Sequence, residues 1–142
     1  MKALVTGSAG FVGRHLIDHL EDNGYDVFGT DLSSGGPDLL DLKSFIELFK
    51  RINPEVVFHL AGQADVAASW KDPYKTFKSN VEGTINVLTA ARESNAQKII
   101  TITSADVYGP VASQDLPITE ETALKPVSPY AAPKAAAELF SL

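Results

Sequence analysis

Tyr130 and Lys134 stand four residues apart in Tyr130-Ala131-Ala132-Pro133-Lys134, a spacing that puts a phenol and an ammonium on one face of a helix. A phenol titrates near 10, so acid–base work near neutral pH asks for about 3 pH units, or ~4 kcal/mol, of preferential phenolate stabilisation, and a neighbouring ammonium helps to supply it. Taken alone, the same pair also suits a solvated helix face. A second chemically suggestive run, Gly7-Ser8-Ala9-Gly10-Phe11-Val12-Gly13, lies near the N-terminus. Gly7 permits a tight turn, Gly10 lets the backbone approach a pyrophosphate, and Gly13 lets a helix pack closely on a strand. The unpaired N–H groups at the start of the following helix would face the phosphates, which makes Ala9, Phe11 and Val12 part of the same candidate loop. Asp31 follows Gly13 by 18 residues. An acid at that point accepts hydrogen bonds from adenosine ribose hydroxyls and repels a 2′-phosphate, so NAD is expected in preference to NADP. The competing reading of Asp31 is a turn cap before Ser33-Ser34. Asp38, with Leu39 behind it, is placed to meet the adenine, whereas Asp41 is better suited to cap the next helix.

These residues need elements to hold them, and short apolar runs alternating with helical patterns supply them. Met1–Thr6 reads as a strand that runs straight into Gly7. A helix is expected from Phe11 to Asp22, with Val12, Leu16 and Leu20 on one face and Gly24 as its stop. Asp26–Thr30 reads as a second strand, and Asp38-Leu39-Leu40 as a very short third one. Phe45, Leu48, Phe49 and Ile52 form an i, i+3, i+4, i+7 stripe on a helix that stops before Pro54. Glu55–Leu60 is a buried strand, and Phe77, Val81, Ile85 and Leu88 mark one face of a longer helix. Lys98–Thr103 is the next strand, and a long loop spans 105–127. Ser128 as N-cap and Pro129 as first helical residue open the last helix. Right-handed crossovers then predict an α/β fold with a doubly wound parallel sheet in the order 3-2-1-4-5.

Composition sets the outer limits. The chain has 142 residues, 12 Lys+Arg against 18 Asp+Glu, a formal net charge of −6 and no Cys. One domain of soluble, cytoplasmic α/β type is expected. Without Cys there is no disulfide framework, thiol catalysis or Cys-ligated zinc. The acidic balance argues against nucleic acid as a partner, and no apolar run is long enough for a membrane span. His15 and His19 have an i, i+4 spacing, but no third ligand lies near, so no metal site is expected. His59 reads as a packing residue beside a strand end.

Joined together, Gly7/Gly10/Gly13, Asp31, Asp38-Leu39, Leu60-Ala61-Gly62, Asn80, Ser104 and Tyr130/Lys134 resemble the extended short-chain dehydrogenase/reductase family. The branch is that of NAD-dependent epimerases, dehydratases and reductases acting on nucleotide sugars. The resemblance covers the whole chain and implies a Rossmann-type fold. It implies that Tyr130 exchanges a proton with a sugar hydroxyl or keto group, and that Lys134 binds the nicotinamide ribose. Ser104 would hydrogen-bond the reacting oxygen, and Leu60, Ala61 and Gly62 would pass the cofactor diphosphate and ribose. Asn80 would support the architecture. Ser69, in a segment that borders the sugar in this branch, and Asp106 would join Ser104 and Tyr130 at the substrate.

Two departures from the family pattern carry consequences. Pro133 stands where a small Ser or Thr is common before the lysine, removing one backbone donor from the first turns of the helix. Ala105 stands where nucleotide-glucose 4,6-dehydratases carry an acid, which argues against that activity. Leu60-Ala61-Gly62-Gln63 and Ser104-Ala105-Asp106-Val107-Tyr108-Gly109 are most similar to GDP-4-keto-6-deoxymannose reductases. A nucleotide-sugar 4-epimerase, a GDP-mannose-type dehydratase and a dinucleotide-binding fragment without turnover remain open beside that reductase. Family members are about twice as long, often pair as homodimers through helix faces, and draw their sugar pocket from a C-terminal half. Ala135–Phe140 shows no helix stop, so residues 1–142 are expected to be the NAD(P)-binding N-terminal part of a longer protein, with the substrate domain absent.

Overall fold

The computed structural model describes all 142 residues. Its strands are β1 (Lys2–Thr6), β2 (Asp26–Thr30), β3 (Val56–His59) and β4 (Lys98–Thr101). Its helices are α1 (Phe11–Asp22), α2 (Leu42–Ile52), α3 (Val66–Lys71), α4 (Pro73–Phe77), α5 (Gly83–Arg92) and α6 (Ala131–Ser141). The strands form one parallel sheet in the order β2-β1-β3-β4, with Leu4 level with Phe28 on one side and Val57 on the other. Ala3, Leu4 and Val5 of the central strand are completely buried. Alternation along β1 sends them to opposite faces. Leu4 joins Val57, the α2 residues Phe45, Leu48, Phe49 and Ile52, and Val87, Ala90 and Ala91 of α5. Ala3 and Val5 join Val56 and Leu20, with Leu16 and Ile17 of α1 packed against them. Helices on both faces make the sheet doubly wound, and every strand delivers its C-terminal end to the same edge.

The short third strand expected at 38–40 does not form; the other four strands, expected as 2-1-4-5, stand in that order as β2-β1-β3-β4. The physical reason is local competition. Asp38 accepts the Leu40 amide on its side chain at 2.9 Å and the Asp41 amide on its carbonyl at 2.9 Å, which closes a turn where a strand would need both groups. Asp41 then caps α2, accepting from Ser44 N and Ser44 Oγ, as its position implied.

The expected helical stripe Phe77, Val81, Ile85, Leu88 is also corrected. Only Val81 of the four is buried, and Phe77 is 51% exposed. A π-helical turn at Lys78–Glu82 separates α4 from α5. It widens the helix by a residue and rotates the turns of α5, so Val87, Ala90 and Ala91 meet α2 instead. In α1, Leu20 is buried as expected, but Val12 is exposed at the sheet edge. At α6 the Ser128 hydroxyl accepts the Ala131 amide at 3.0 Å and its carbonyl accepts the Ala132 amide at 3.0 Å. That is N-cap bonding, although regular helix begins two residues later than Pro129. Pro133 does not break α6, because Lys134 N still reaches Tyr130 O at 3.3 Å.

Candidate functional site

The loop from β1 to α1 is shaped by contact as much as by turn geometry. Gly7 has φ +72°, and a Cβ there would lie 2.8 Å from Ala61 N. A Cβ on Gly13 would overlap the Gly7 carbonyl oxygen and sit 2.8 Å from Ser8 Cα. The first turn of α1 therefore rests directly on the loop, as three spaced glycines require. No side chain caps α1 and no acid stands in its first turn, so its N-terminal partial positive charge is uncompensated from within. Phe11 and Val12, 82% and 57% exposed, line the cleft that opens in front of it.

That cleft measures about 740 Å³. It is lined by Gly7, Gly10, Phe11, Val12, Gly13, Asp31, Asp38, Leu39, Leu60, Ala61 and Gly62, with Thr6, Pro37, Gln63, Lys75 and Lys78 among the further wall residues. Eleven positions read from four separate stretches of sequence are thus brought to one cavity. Ala9 is absent from the wall but its amide donates to Asp31 Oδ2 at 3.2 Å. Asp31 also accepts from Ser33 Oγ at 2.6 Å and Ser33 N at 2.9 Å. The Ser33 hydroxyl, then the Ser33 and Ala9 amides and the Arg14 charge, hold its carboxyl below the usual range despite some desolvation. Asp31 consequently caps the turn Leu32–Ser34 and faces the cleft at once. The two readings of Asp31 are compatible.

The wall formed by the β3 end is pinned from behind. Ala61 N donates to Thr6 Oγ1 at 3.2 Å. Gln63 and Asn80 exchange two bonds, Gln63 N to Asn80 Oδ1 at 2.7 Å and Asn80 Nδ2 to Gln63 O at 3.0 Å. Asn80 sits inside the π turn, 2% exposed. Gln63 Oε1 is the one buried side-chain polar atom without a partner. An orphaned acceptor at the wall of a cleft suits a site that a polar ligand completes.

Ser104, Tyr130 and Lys134 lie outside this cleft, at the ends of β4 and α6. Lys134 Nζ donates to Ile102 O at 3.0 Å, and burial lowers its pKa. Ser104 Oγ accepts the Asp106 amide at 3.2 Å, leaving its own proton to donate. Tyr130 is 8% exposed and its hydroxyl makes no bond within the chain. Asp106 is exposed beside Ser104 on the turn Ala105–Tyr108. Ser69 is completely buried, and its hydroxyl donates to Val66 O at 2.6 Å. No helix is long and apolar enough to cross a membrane.

A family model described as the NAD dependent epimerase/dehydratase family matches residues 3–141. The chain belongs to that family. Among curated relatives, a UDP-glucose 4-epimerase of Mycolicibacterium smegmatis is 37% identical, covering 99% of this chain and 50% of the relative. A GDP-6-deoxy-D-mannose reductase of Pseudomonas aeruginosa is 38% identical, covering 99% of this chain and 46% of that one. The chain thus spans about half the length of the relatives it matches. Among solved structures, RMD from Pseudomonas aeruginosa complexed with NADPH superposes with a TM-score of 0.86 at 37% identity, over 98% of this chain and 47% of the other.

Within this epimerase/dehydratase chain, sequence reasoning missed Thr6 and Thr84 and undervalued His59. His59 is 3% exposed, yet both ring nitrogens are hydrogen-bonded, to Thr6 Oγ1 at 2.7 Å and Thr84 Oγ1 at 3.1 Å. Burial first, and the Lys134 charge second, push its pKa down to about 4. A histidine ending a strand that is otherwise buried was the available signal, since such a ring must find polar partners inside.

Proposed function

We propose that residues 1–142 are the NAD-binding part of a nucleotide-sugar oxidoreductase that transfers hydride at a sugar C4, as a 4-keto-6-deoxy-sugar reductase. One observation carries the reading: the glycine-loop cleft with Asp31 in its wall, Ser104 following β4, and Lys134 bonded to Ile102, one turn beyond Tyr130 on α6, stand at the C-terminal edge of one parallel sheet. In open α/β sheets that edge is where ligands bind.

The cleft residues fit a dinucleotide. Glycines at 7, 10 and 13 clear the backbone for the diphosphate, the open N-terminus of α1 attracts its charge, and Asp31 offers carboxylate oxygens to the adenosine ribose. When bound, the nicotinamide ring supplies or takes the hydride. Everything else is work for this chain. The Tyr130 hydroxyl, free of protein partners, protonates the sugar oxygen as C4 is reduced. Ser104 donates its unused proton to the same oxygen, and Lys134 lends positive charge beside the phenol and reaches the nicotinamide-side ribose. Asp31 favours NAD over NADP, in contrast to the NADPH named for the RMD structure.

Ala105 cannot transfer a proton, which supports reduction over 4,6-dehydration. A second reading, 4-epimerisation, is supported by the 37% identity to an epimerase over 99% of the chain. The deciding experiment is turnover of a 4-keto-6-deoxy nucleotide sugar with NADH or NADPH, by this chain alone and with a candidate C-terminal half added. Formation of the reduced sugar, with cofactor consumed in equal amount, supports the reductase. Interconversion of UDP-sugars without net cofactor consumption supports the epimerase. No turnover under either condition leaves a chain that binds cofactor only.

A further inference from the structure

Three buried side chains from three elements form a continuous chain of hydrogen bonds behind the cleft wall, Thr6 at the end of β1, His59 at the end of β3 and Thr84 in the first turn of α5, and the chain ends on the backbone carbonyl of Asn80 in the π turn. The direction of every bond follows from which atoms can donate. The Asn80 backbone carbonyl oxygen only accepts, so at 2.7 Å the Thr84 hydroxyl must spend its proton there. Thr84 Oγ1 can then only accept from His59 Nε2, 3.1 Å away, which places a proton on Nε2. At the other end the Ala61 amide donates to Thr6 Oγ1. The buried neutral ring carries a single N–H, already placed on Nε2, so Nδ1 is bare and accepts the Thr6 hydroxyl proton at 2.7 Å. Each hydroxyl accepts once and donates once, and both imidazole nitrogens are used.

We propose that His59 is a positioning residue for the cofactor-side loop, locked as the neutral Nε2–H tautomer so that a one-way chain from the Ala61 amide to the Asn80 carbonyl holds the loop Leu60–Gln63 in place. The alternative tautomer would set a bare Nε2 against a Thr84 oxygen whose proton is already spent. An imidazolium would set a second N–H against Thr6, leaving the Thr6 hydroxyl proton without its acceptor. Both arrangements strand buried polar groups. The chain reaches the cleft directly at Ala61, and at its other end it fixes the backbone of Asn80, the residue whose side-chain amide exchanges two bonds with Gln63. Gly62 lies between these two anchors. The consequence for ligand affinity rests on the proposed dinucleotide binding, whereas the hydrogen-bond chain itself does not.

The test uses the full chain labelled with ¹⁵N. Long-range ¹H–¹⁵N correlation at pH 7 is expected to show His59 as the Nε2–H tautomer, and a Nδ1–H or imidazolium pattern would overturn the proposal. Thr84→Val keeps the shape but removes the acceptor for Nε2–H, while Thr84→Ser keeps it. Thr84→Val is expected to lower hydrogen-exchange protection of the Ala61 and Gln63 amides and NAD⁺ affinity by about 10-fold each. Thr84→Ser should stay within about 2-fold of the parent, since it retains both hydrogen bonds. Unchanged protection in Thr84→Val would overturn the proposal. If Thr84→Val fails to fold, the tautomer of the parent chain decides. If the parent itself does not bind NAD⁺, the dinucleotide reading fails, and the tautomer and exchange results still judge the positioning chain.

Discussion

Lys134 donates its ammonium to the carbonyl oxygen of Ile102, tying α6 to the end of β4. Ile102 in turn donates its amide to the His59 carbonyl at 3.1 Å. The start of α6, with Tyr130 and Lys134, and the loop Leu60–Gln63 therefore share one strand junction, and the Lys134 charge is felt at the His59 ring. Lys134→Met should raise the His59 pKa above about 4 while leaving it below the ordinary 6.5, because burial is the larger cause. An NMR titration of the ring checks this. A His59 midpoint unmoved by the substitution would show that the two groups are not coupled.

Stability should depend on pH through the same ring. The folded pKa of His59, about 4, lies below its unfolded value of 6.5, so the unfolded chain binds the extra proton between them. The contribution is complete above pH 6.5 and is lost as the pH falls toward 4, amounting to ~3 kcal/mol. Urea midpoints should drop between pH 7.5 and 4.5, a window above the lowered Asp31 and Asp41 carboxyls. A flat midpoint across that window would contradict the buried neutral ring.

Gly13→Ala tests the packing of α1 on the loop. The new methyl meets the Gly7 carbonyl and Ser8 Cα, both backbone atoms that cannot swing aside. Destabilisation of about 1–3 kcal/mol is expected, with loss of dinucleotide affinity. Thermal melting with and without NAD⁺ measures both. Gly24→Ala is the contrast, since its φ is +79°, unlike that of Gly13, and nothing lies within 4 Å of its added Cβ. It should cost stability through backbone strain without touching the NAD⁺-dependent shift.

Tyr130→Phe separates chemistry from binding. The phenol hydroxyl has no partner in the protein, so its removal should leave the melting temperature and NAD⁺ affinity nearly unchanged. Turnover of the 4-keto-6-deoxy nucleotide sugar should fall by roughly 10²–10⁴-fold. Parent-like turnover would remove Tyr130 from the acid–base role.

What the sequence made legible had local causes. The stripe Phe45, Leu48, Phe49, Ile52 is buried as its spacing implied, and the glycine run reached the cleft wall because its spacing is itself the geometry of a strand–turn–helix unit. Asp38-Leu39-Leu40 failed as a strand because one carboxylate captured the amide that a ladder would have needed. Phe77, Val81, Ile85 and Leu88 misled because regular periodicity cannot foresee a π turn. Tyr130 and Lys134 were visible as a pair, yet the partner that Lys134 takes, Ile102, lies 32 residues away in sequence. The His59 chain was least visible of all, since Thr6 and Thr84 stand 53 and 25 residues from the ring they hold.

The central claim is that the glycine-loop cleft binds NAD with Asp31 on the adenosine ribose. Calorimetric titration of NAD⁺ and NADP⁺ into the parent chain and Asp31→Ala tests it most directly. The parent should bind NAD⁺ saturably and more tightly than NADP⁺, and Asp31→Ala should weaken NAD⁺ by about 10-fold while weakening NADP⁺ far less. Absence of NAD⁺ binding by the parent, or equal weakening of both nucleotides by the substitution, would contradict the account.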